Sequence, residues 1–379
     1  MEVIGYFTEG GAKAGRYTVK NIAASGSAAL LTELDYAFGR VTSDRCQIAD
    51  REAAIEHRYL AAESVNGQAD PDGPNKLRGT FHQLQELKRV YPQLRVVISF
   101  GGWGASDGFP SAAAPGHVKE FVQSCVHTFI EGYFAPGIHE PGVFDGIDID
   151  WEYPVSGGVK PGLPEDTKNF TAMVAEFRQQ MDAVKPGLLL TAALPAEFDL
   201  YRQFELKEIA KYLDDLAIMA YDMHWDSEPV TNLHSALFHN ARDPSGPPHN
   251  DYYGDFAVKG FLSAGVPAEK IVLGVPFYGK GWRGVPAEHH GLYQSATGPA
   301  KAQGTYRDLK RLANADRQYY PGPATCSVWS GGNFWSYDCP EAMRAKRQYV
   351  ESHGLGGVMF WELSHDTSDA ELLKTLTGH

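Results

Sequence analysis

The sequence has few cysteines, no long apolar run and no excess of basic side chains, and each absence excludes a class of protein. Only four of its 379 residues are cysteines, too few for a small domain held together by disulfides. No apolar run reaches the roughly 18 residues that a membrane-spanning helix needs. Because acidic side chains outnumber basic ones by 47 to 34, the chain offers no basic surface for a phosphate backbone or an anionic membrane. We expect neither nucleic acid nor a membrane as its partner.

Motifs for metal binding and for export are also missing. The cysteines (Cys46, Cys125, Cys326 and Cys339) are widely spaced with no C-x-x-C pair, and no H-E-x-x-H motif occurs. We therefore expect no metal and no cofactor. The first residues, Met1–Phe7, do not combine a cationic stretch with a long apolar one, so no signal peptide is recognised. Either the protein is cytoplasmic, or a signal peptide has been removed.

The sequence is rich in short apolar runs. Hydrophobic residues make up 43% of the chain and charged residues 21%, as in soluble proteins that bury a core. Eight apolar, β-branched runs predict strands: Val3–Phe7, Leu34–Val41, Leu94–Gly101, Val143–Glu152, Leu188–Leu194, Leu216–Asp222, Ile271–Tyr278 and Gly356–Trp361. The stretches that predict helices are Lys76–Tyr91, Val118–Phe129, Glu165–Val184, Asp255–Ala264 and Ser368–Leu376.

Strands that alternate with helices form parallel sheets, because each helix carries the chain back to the start of the next strand. Eight such units predict an α/β fold, a (β/α)8 TIM barrel, although a doubly wound open sheet has most of the same pattern. The segment 280–344, between strands seven and eight, is too long for a simple crossover. We interpret it as a small α+β insertion subdomain with a helix near Tyr306–Leu312, and a long ordered loop is the alternative. The chain 1–379 is then a single domain.

A ladder of carboxyl groups in the fourth strand segment, Val143–Glu152, carries the strongest chemical signal. Residues two apart in a strand share a face, so Asp148, Asp150 and Glu152 point the same way. In a barrel that face is the interior, and Glu152 lies at the C-terminal mouth, where barrel active sites form. Asp145 has the other parity, and we interpret it as a structural hydrogen-bonding residue. A solvated edge strand is the alternative, which the apolar neighbours of the acids disfavour.

Carboxyl groups held in one column raise one another's pKa, because like charges held close together disfavour ionisation. Such strain is seldom retained for packing alone. A raised pKa on Glu152 would keep a proton available near neutral pH, which the general acid for a glycosidic leaving group requires. The ladder therefore indicates general acid catalysis.

These residues resemble a known family. Asp145-x-x-Asp148-x-Asp150-x-Glu152 matches the D-x-x-D-x-D-x-E signature of glycoside hydrolase family 18, the chitinase family. Two further motifs agree in order, Ser99-Phe100-Gly101-Gly102-Trp103 resembling S-x-G-G on strand three and Met219-Ala220-Tyr221-Asp222 resembling M-x-Y-D on strand six. The likeness continues through 272–279 to 356–362, and the insertion is similar to that of bacterial, actinomycete-type chitinases.

The resemblance implies a retaining, substrate-assisted hydrolysis of β-1,4 linkages between N-acetylglucosamine units in chitin or chito-oligosaccharides, with no cofactor. Glu152 would protonate the glycosidic oxygen while the acetamido oxygen of the sugar attacks the anomeric carbon, giving an oxazolinium ion. Asp150 would orient the acetamido N–H, and Asp148 would share a proton with Asp150. Tyr221 would donate a hydrogen bond to the acetamido oxygen. These four residues are the catalytic set that the resemblance implies.

A substrate cleft follows from the same resemblance. Trp361 would form its apolar floor under the scissile sugar, and Ser99 would be structural, in contact with the lower aspartates. The other substrate-binding residues would be Tyr6, Phe38, Gly102, Trp103, Met219, Asp222 and Tyr278. Lys280 stands where the family often has an arginine, and several sugar-stacking rings, Trp225 among them, depart from the usual pattern. We therefore expect soluble or accessible chains to be better substrates than crystalline chitin.

The cysteines bear on the cellular location. Cys46 and Cys125 occupy positions that resemble a bridged pair of the actinomycete enzymes, while Cys326 and Cys339 both lie in the insertion. Two disulfides would indicate export, since such bonds persist in oxidising compartments. Four reduced thiols are the alternative. We expect an extracellular monomer, and a cytoplasmic location stays open.

Three other functions stay open. A non-catalytic chitin-binding lectin has the same barrel but lacks the acid that Glu152 supplies. An endo-β-N-acetylglucosaminidase acting on N-glycans shares the Asp150 and Glu152 pair, but it favours an open groove, whereas the insertion predicts a walled cleft. A sugar-transport or adhesion protein would not need a proton-sharing ladder.

Overall fold

Short apolar runs form the strands of the fold, because β-branched and aromatic side chains pack well on a buried pleated surface. The computed structural model describes residues 1–13, 17–301 and 304–379. In chain order the strands of these residues are β1 (Glu2–Thr8), β2 (Glu33–Thr42), β3 (Arg45–Ile48), β4 (Arg95–Gly101), β5 (Tyr133–Ala135), β6 (Ile138–His139), β7 (Gly146–Asp150), β8 (Leu189–Pro195), β9 (Asp215–Met219), β10 (Ile271–Pro276), β11 (Gly279–Arg283), β12 (Gly298–Pro299), β13 (Asp316–Tyr320), β14 (Thr325–Ser330), β15 (Asn333–Tyr337) and β16 (Gly357–Trp361).

The α-helices of the described residues vary from single turns to five turns. In chain order they are α1 (Glu9–Lys13), α2 (Val19–Ala24), α3 (Ser27–Leu30), α4 (Gly79–Val90), α5 (Phe109–Ala112), α6 (Val118–Cys125), α7 (Asp166–Val184), α8 (Phe198–Tyr201), α9 (Leu206–Ile209), α10 (Gly254–Ser263), α11 (Tyr306–Arg311), α12 (Pro340–His353) and α13 (Glu371–Thr377). A π-helical turn, Val126–Ile130, continues α6.

The predicted strands are all present, as β1, β2, β4, β7, β8, β9, β10 and β16, with ends that shift by a few residues. The predicted helices are present as α4, α6, α7, α10, α11 and α13. The fold is the predicted (β/α)8 barrel, and an α+β insertion lies between β10 and β16. The doubly wound open sheet is therefore excluded.

Two elements depart from the prediction. β7 ends at Asp150, so Glu152 follows the strand instead of ending it. The sequence pattern does not predict α12, and the proposed insertion boundary at residue 344 falls inside this helix, whereas the sheet of the insertion ends with β15. The apolar pattern of α12 is interrupted because Lys346 points inward, where it forms a buried ion pair with Asp338.

The described chain forms two compact units. The N-terminal unit consists of Ile4–Leu194 and Arg202–Leu216. Within it β1 pairs with β2, β2 with β4, β4 with β7 and β7 with β8, all in parallel. The registers set Ser99 beside Asp148 and Asp148 beside Thr191, so these polar residues lie at one level of the sheet.

Aromatic rings fill the core of the N-terminal unit. Phe81 packs edge to face on Phe144 with ring centroids 4.9 Å apart, and Phe129 lies 5.9 Å from Phe144. All three rings are buried. Full burial of a phenylalanine side chain contributes about 1.5–3 kcal/mol. This core supports the strands that carry the acidic residues.

The C-terminal unit consists of Met1–Val3, Pro195–Tyr201 and Ala217–His379. It contains the parallel pair of β10 and β16 and the insertion between them. The insertion forms a five-stranded sheet in the order β12-β11-β15-β14-β13, together with α11. Trp282 and Phe334 are fully buried in an apolar cluster. The assignment of 1–379 to a single domain stays a prediction.

Both cysteine pairs are joined by disulfides. Cys46 on β3 is bonded to Cys125 at the end of α6, with Cα atoms 4.8 Å apart. Cys326 on β14 is bonded to Cys339, the residue before α12. The alternative of four reduced thiols is wrong. In the part of the chain that the structure describes, no helix is both long and apolar enough to cross a membrane.

Candidate active site

The carboxyl ladder lies at the C-terminal end of β7 in the N-terminal unit. Asp148 and Asp150 are in the strand and are only 1% and 5% exposed. Glu152 follows the strand and is half-buried. The alternation of the strand turns both aspartates to one face, as predicted. The ladder therefore rises from a buried carboxyl to a partly accessible one.

Asp148 on β7 is held by three hydroxyl groups from three other strands, β1, β4 and β8. Tyr6 and Ser99 donate to its Oδ2 at 2.8 and 2.6 Å, and Thr191 donates to its Oδ1 at 2.8 Å. Burial raises the pKa of Asp148 above its ordinary value, and the three donors oppose that rise. Thr191 is a contact that the sequence analysis missed, because only the register of β8 brings it beside Asp148.

Asp150 lies above Asp148 and has an unsatisfied oxygen. Its Oδ1 is buried without a hydrogen-bond partner among the described residues. Burial raises its pKa well above the ordinary value, and the nearby carboxyls of Glu152 and Asp148 raise it further. A buried acceptor of this kind is costly unless a donor reaches it. Asp150 is therefore suited to receive an N–H or O–H group from a bound molecule.

Ser106 fixes the backbone around Glu152. Its Oγ accepts a hydrogen bond from the Glu152 N–H at 2.9 Å and lies 3.2 Å from the Asp150 carbonyl oxygen, to which it donates. The N–H of Glu152 is thus used by a loop side chain and does not extend the strand. Ser106 is not predicted from the sequence, because no regular spacing links this loop residue to the acidic residues of β7.

Two glycines let β4 approach the ladder closely. A Cβ on Gly101 would lie 2.0 Å from the carbonyl oxygen of Asp150, and its φ of 114° is itself unfavourable for other residues. A Cβ on Gly102 would lie 2.7 Å from the ring of Phe38. Phe38 is half-buried, with its ring centroid 6.4 Å from that of Tyr6. The glycines set the wall geometry, while Phe38 and Tyr6 supply apolar surface.

Two other predicted residues lie at opposite ends of the N-terminal unit's strands. Trp103, just after β4, is 52% exposed. Asp145, just before β7, accepts a hydrogen bond from the Val96 N–H at 2.9 Å and pairs with Lys88 at 2.6 Å. Through these contacts Asp145 links the start of β4 to α4.

In the C-terminal unit, a polar network surrounds Asp222. Tyr278 donates to its Oδ1 at 2.7 Å, Lys280 pairs with its Oδ2 at 3.1 Å, and His234 Nδ1 lies 3.3 Å from Oδ1. Burial raises the pKa of Asp222, but the hydrogen bond with His234 and the charge of Lys280 outweigh burial, so the pKa lies below its ordinary value. Asp222 is therefore a carboxylate that is held charged by its neighbours.

The remaining predicted residues of the C-terminal unit follow the ends of strands. Met219 ends β9, and the hydroxyl of Tyr221 lies 3.6 Å from Met359 Sδ. Trp361 ends β16 and is half-buried. The Lys280 ammonium lies 4.0 Å from the ring centroid of Trp225, a cation–π contact that adds to its ion pair with Asp222.

Comparison with known proteins decides the family. The family model described as glycosyl hydrolases family 18 matches residues 2–366. The chain belongs to this family. Membership in glycosyl hydrolase family 18 confirms the resemblance that the sequence motifs carry.

Family 18 relatives match along the length of the chain. Chitinase C of Streptomyces lividans is 38% identical over 381 residues, covering 97% of this chain and 58% of that protein. The chain therefore spans less than two thirds of this relative's length. The catalytic domain of psychrophilic chitinase B from Arthrobacter TAD20 has a TM-score of 0.92 at 32% identity, covering 100% of this chain and 94% of the other.

A ligand-bound family 18 structure is also similar. A mutant of class V chitinase from Nicotiana tobaccum, in complex with NAG4, has a TM-score of 0.76 at 26% identity, covering 99% of this chain and 97% of the other. In the present family 18 chain, a cavity of about 120 Å³ adjoins Glu152 within the N-terminal unit, lined by Ser106, Trp151 and Lys160 among others. In the described residues, no group of three or more histidine, cysteine or acidic side chains is placed to hold a metal ion.

Proposed function

We propose that this chain hydrolyses β-1,4 linkages between N-acetylglucosamine units, in chitin or chito-oligosaccharides, with retention at the anomeric carbon. The observation that carries the proposal is the unsatisfied Oδ1 of Asp150, between the hydroxyl-bound Asp148 and Glu152. A buried acceptor at this place suits the N–H of a 2-acetamido group. The chitinase relatives and the NAG4-bound neighbour support the same substrate class.

Each member of the ladder has one role in the proposed mechanism. Glu152 donates its proton to the glycosidic oxygen as the bond to the anomeric carbon breaks. The acetamido carbonyl oxygen of the same sugar forms the new bond to that carbon, so the positive charge resides on an oxazolinium ring. Asp150 accepts the acetamido N–H, and the single negative charge of the Asp148–Asp150 pair stabilises this positive charge. Glu152 then takes a proton from the water that opens the ring, which restores the acid.

Asp148 completes the proton balance below Asp150. Because like charges so close together disfavour ionisation, the two aspartates share one proton. The three hydroxyl donors suit Asp148 as a carboxylate, which leaves the shared proton with Asp150 when substrate binds. The proton is moved within the pair and is not lost to solvent.

The walls of the cleft remain proposals that rest on the family motifs. Tyr221 is the proposed donor to the acetamido oxygen, and Trp361 the proposed floor under the scissile sugar. The further proposed substrate-binding residues are Tyr6, Phe38, Gly102, Trp103, Met219, Asp222 and Tyr278, while Ser99 and Asp145 are proposed as structural. Their exposure supports binding most directly for Trp103, which is 52% exposed.

We also propose that the protein acts outside the cell, as a monomer and without a cofactor. The two disulfides support an oxidising compartment. The absence of an excess of basic residues supports an uncharged polysaccharide over nucleic acid as the partner.

Hydrolysis of chitopentaose by the wild type and by Glu152→Gln tests the proposal. We expect the wild type to release products whose new reducing ends are β-anomers, read by NMR immediately after mixing. We expect Glu152→Gln to lower kcat by at least about 100-fold, since a positioned general acid contributes on that order. Binding of chitopentaose to the variant, measured by calorimetry, should remain.

The matched control is Glu165→Gln, which removes an exposed glutamate before α7 and should leave kcat unchanged. Binding by the wild type without turnover would replace the proposal with a chitin-binding lectin. Cleavage of an N-glycan core without cleavage of chitopentaose would replace it with an endo-β-N-acetylglucosaminidase. Initial α-anomers would contradict retention.

A further inference from the structure

Buried carboxyl groups continue below the ladder in the N-terminal unit. Glu33 and Asp35 alternate on β2, and they are 0% and 2% exposed. In the register of the sheet, Glu33 lies beside Arg95 and Asp35 beside Val97, while Ser99, two residues further along β4, lies beside Asp148. Glu33 and Asp35 thus occupy the two levels below Asp148. We call Glu33, Asp35, Asp148 and Asp150 the acid column.

The lower half of the acid column has few hydrogen bonds. Both carboxyl oxygens of Glu33 and the Oδ1 of Asp35 are buried without a hydrogen-bond donor among the described residues. By contrast, Asp148 directly above them receives three hydroxyl donors. An ionised carboxylate buried without donors is strongly unfavourable, so the lower pair must hold protons.

Charged and titratable groups reach Asp35 from each strand around it. Glu33 precedes it on β2, Tyr6 is its register partner on β1, and Arg95 lies at the lower level of β4. The carboxyls of Asp148 on β7 and of Asp215, the first residue of β9, are close enough to act electrostatically on Asp35. Arg95 is the cation of this set, and it lies beside Glu33, one level away from Asp35. The neighbours therefore favour a neutral Asp35.

The pKa directions agree with this geometry. Burial, together with the charge of Asp215, raises the pKa of Glu33 to about 8 against the opposing charge of Arg95. Burial also raises the pKa of Asp35 well above its ordinary value, and the carboxyls of Glu33 and Asp148 add to the effect. Both shifts favour the neutral acids, and Glu33 ionises as the pH rises through about 8.

Ionisation of the lower pair would oppose the proposed mechanism. A negative charge on either acid of the lower pair raises the affinity of Asp148 for a proton. The proton shared by the two aspartates would then move down to Asp148, away from Asp150. With Asp148 protonated, Asp150 would carry the negative charge beside Glu152, and that charge would make Glu152 hold the proton that it must donate more tightly. A charged Asp35 would therefore slow the protonation of the glycosidic oxygen.

We propose that Asp35 is a positioning residue whose neutral form keeps the shared proton on Asp150, and that ionisation of the Glu33–Asp35 pair switches the site off at high pH. This inference rests on the proposed function, because the switch is read through hydrolysis. The inference accounts for the loss of activity at high pH, which the proposed roles of Asp148, Asp150 and Glu152 do not explain. No net proton is released during turnover, since the pair stays protonated while the enzyme is active.

The test is the pH profile of kcat/KM on chitopentaose for wild type, Asp35→Asn and Glu33→Gln. Asparagine matches neutral aspartic acid in shape but cannot ionise. We expect Asp35→Asn to keep kcat/KM within about threefold at pH 5–6 and to move the alkaline midpoint upward by about one pH unit, a tenfold gain above it. Glu33→Gln should move the midpoint in the same direction.

An alkaline midpoint that is unchanged or lower in both variants would overturn the inference, as would a folded Asp35→Asn that is inactive at pH 5–6. The matched control is Asp166→Asn, another fully buried aspartate of the N-terminal unit, which accepts from the Leu163 N–H and Asn169. Its midpoint should equal that of the wild type.

A second readout is independent of activity. Infrared spectra at pH 7 should contain a protonated-carboxyl band that is weaker in Asp35→Asn and retained in Asp166→Asn. An inactive wild type would refute the proposed function, and with it the link to catalysis. An active wild type with no loss of this band in Asp35→Asn would refute the inference alone.

Discussion

The hydrogen-bond donors around Asp148 help to decide whether its carboxyl group is charged. Of the three donors, Tyr6 is the most distant from Asp148 in sequence. Tyr6 on β1 reaches a carboxyl on β7 with an oxygen–oxygen distance of 2.8 Å. A hydrogen bond to a charged group contributes about 1.5–3 kcal/mol. Loss of this donor should raise the pKa of Asp148 further and draw the shared proton away from Asp150.

For Tyr6→Phe we therefore expect kcat to fall about 10- to 100-fold, the rate equivalent of about 1.5–3 kcal/mol. KM should change little, since the hydroxyl is used by Asp148. The measurement is steady-state hydrolysis of chitopentaose near pH 6. Tyr91→Phe, at the end of α4, is the control and should behave as the wild type. A wild-type kcat in Tyr6→Phe would argue against a role for the hydroxyl donors in proton placement.

The positions of individual side chains were predictable from the sequence where the two-residue repeat of a strand determines which face they occupy. The two-residue spacing of Asp148 and Asp150 was sufficient to turn both to one face. The same spacing links Glu33 and Asp35, yet the predicted strand began at Leu34 and left Glu33 outside. The spacing does not indicate that the side chains of Glu33 and Asp35 lack hydrogen-bond donors. Whether a donor or a charge faces them depends on residues of other strands. Ser106 and Thr191 were missed for the same reason.

At the level of elements, strand ends were less predictable than strands. The alternation of apolar and acidic residues continues through Trp151 and Glu152, but the hydrogen bonds of β7 do not. The sequence pattern therefore predicts Glu152 within the strand, although its N–H is bound by Ser106 in the loop after β4. α12 was not predicted, because its inward-facing Lys346 is satisfied by Asp338 and by the Ser235 carbonyl oxygen, not by apolar contacts.

The close approach of β4 to β7 gives a prediction at this scale. In Gly101→Ala the new Cβ would meet the Asp150 carbonyl oxygen, so the end of β4 must move away from the ladder. A left-handed backbone strain of about 1–2 kcal/mol adds to overpacking of about 1–3 kcal/mol. We expect a loss of about 3 kcal/mol or more in unfolding free energy, measured by urea denaturation, together with loss of hydrolysis.

Gly116→Ala separates these two effects. Gly116 also has a positive φ, 96°, but a Cβ there would have no atom within 4 Å. It should lose only the backbone part, about 1–2 kcal/mol, and keep wild-type hydrolysis. Equal destabilisation in the two variants would mean that backbone strain alone explains the glycine at position 101.

At the scale of the whole molecule, the acid column should shape stability as a function of pH. Glu33 has a folded pKa of about 8 against an ordinary value of 4.5, so the folded chain binds a proton that the unfolded chain has lost between these values. The resulting stabilisation is fully present below pH 4.5 and is lost as the pH rises to 8. Each pH unit in this window changes the unfolding free energy by about 1.4 kcal/mol.

Glu33→Gln removes the group that binds this proton, so the folded and unfolded chains no longer differ at this position. Relative to the wild type, its melting temperature should rise progressively between pH 5 and pH 8, measured by calorimetry at matched ionic strength. Glu165→Gln, which changes an exposed glutamate, should give a curve parallel to that of the wild type. Parallel curves for Glu33→Gln as well would mean that Glu33 is already ionised in the folded protein.

Gly101 also constrains how this chain can change over generations. Every amino-acid replacement adds at least a Cβ, and at this position even the smallest one meets the Asp150 carbonyl oxygen at 2.0 Å. No single codon change that alters the residue avoids the collision. Random mutagenesis libraries of this domain should therefore contain almost no active clones altered at codon 101, whereas codon 116 should tolerate alanine.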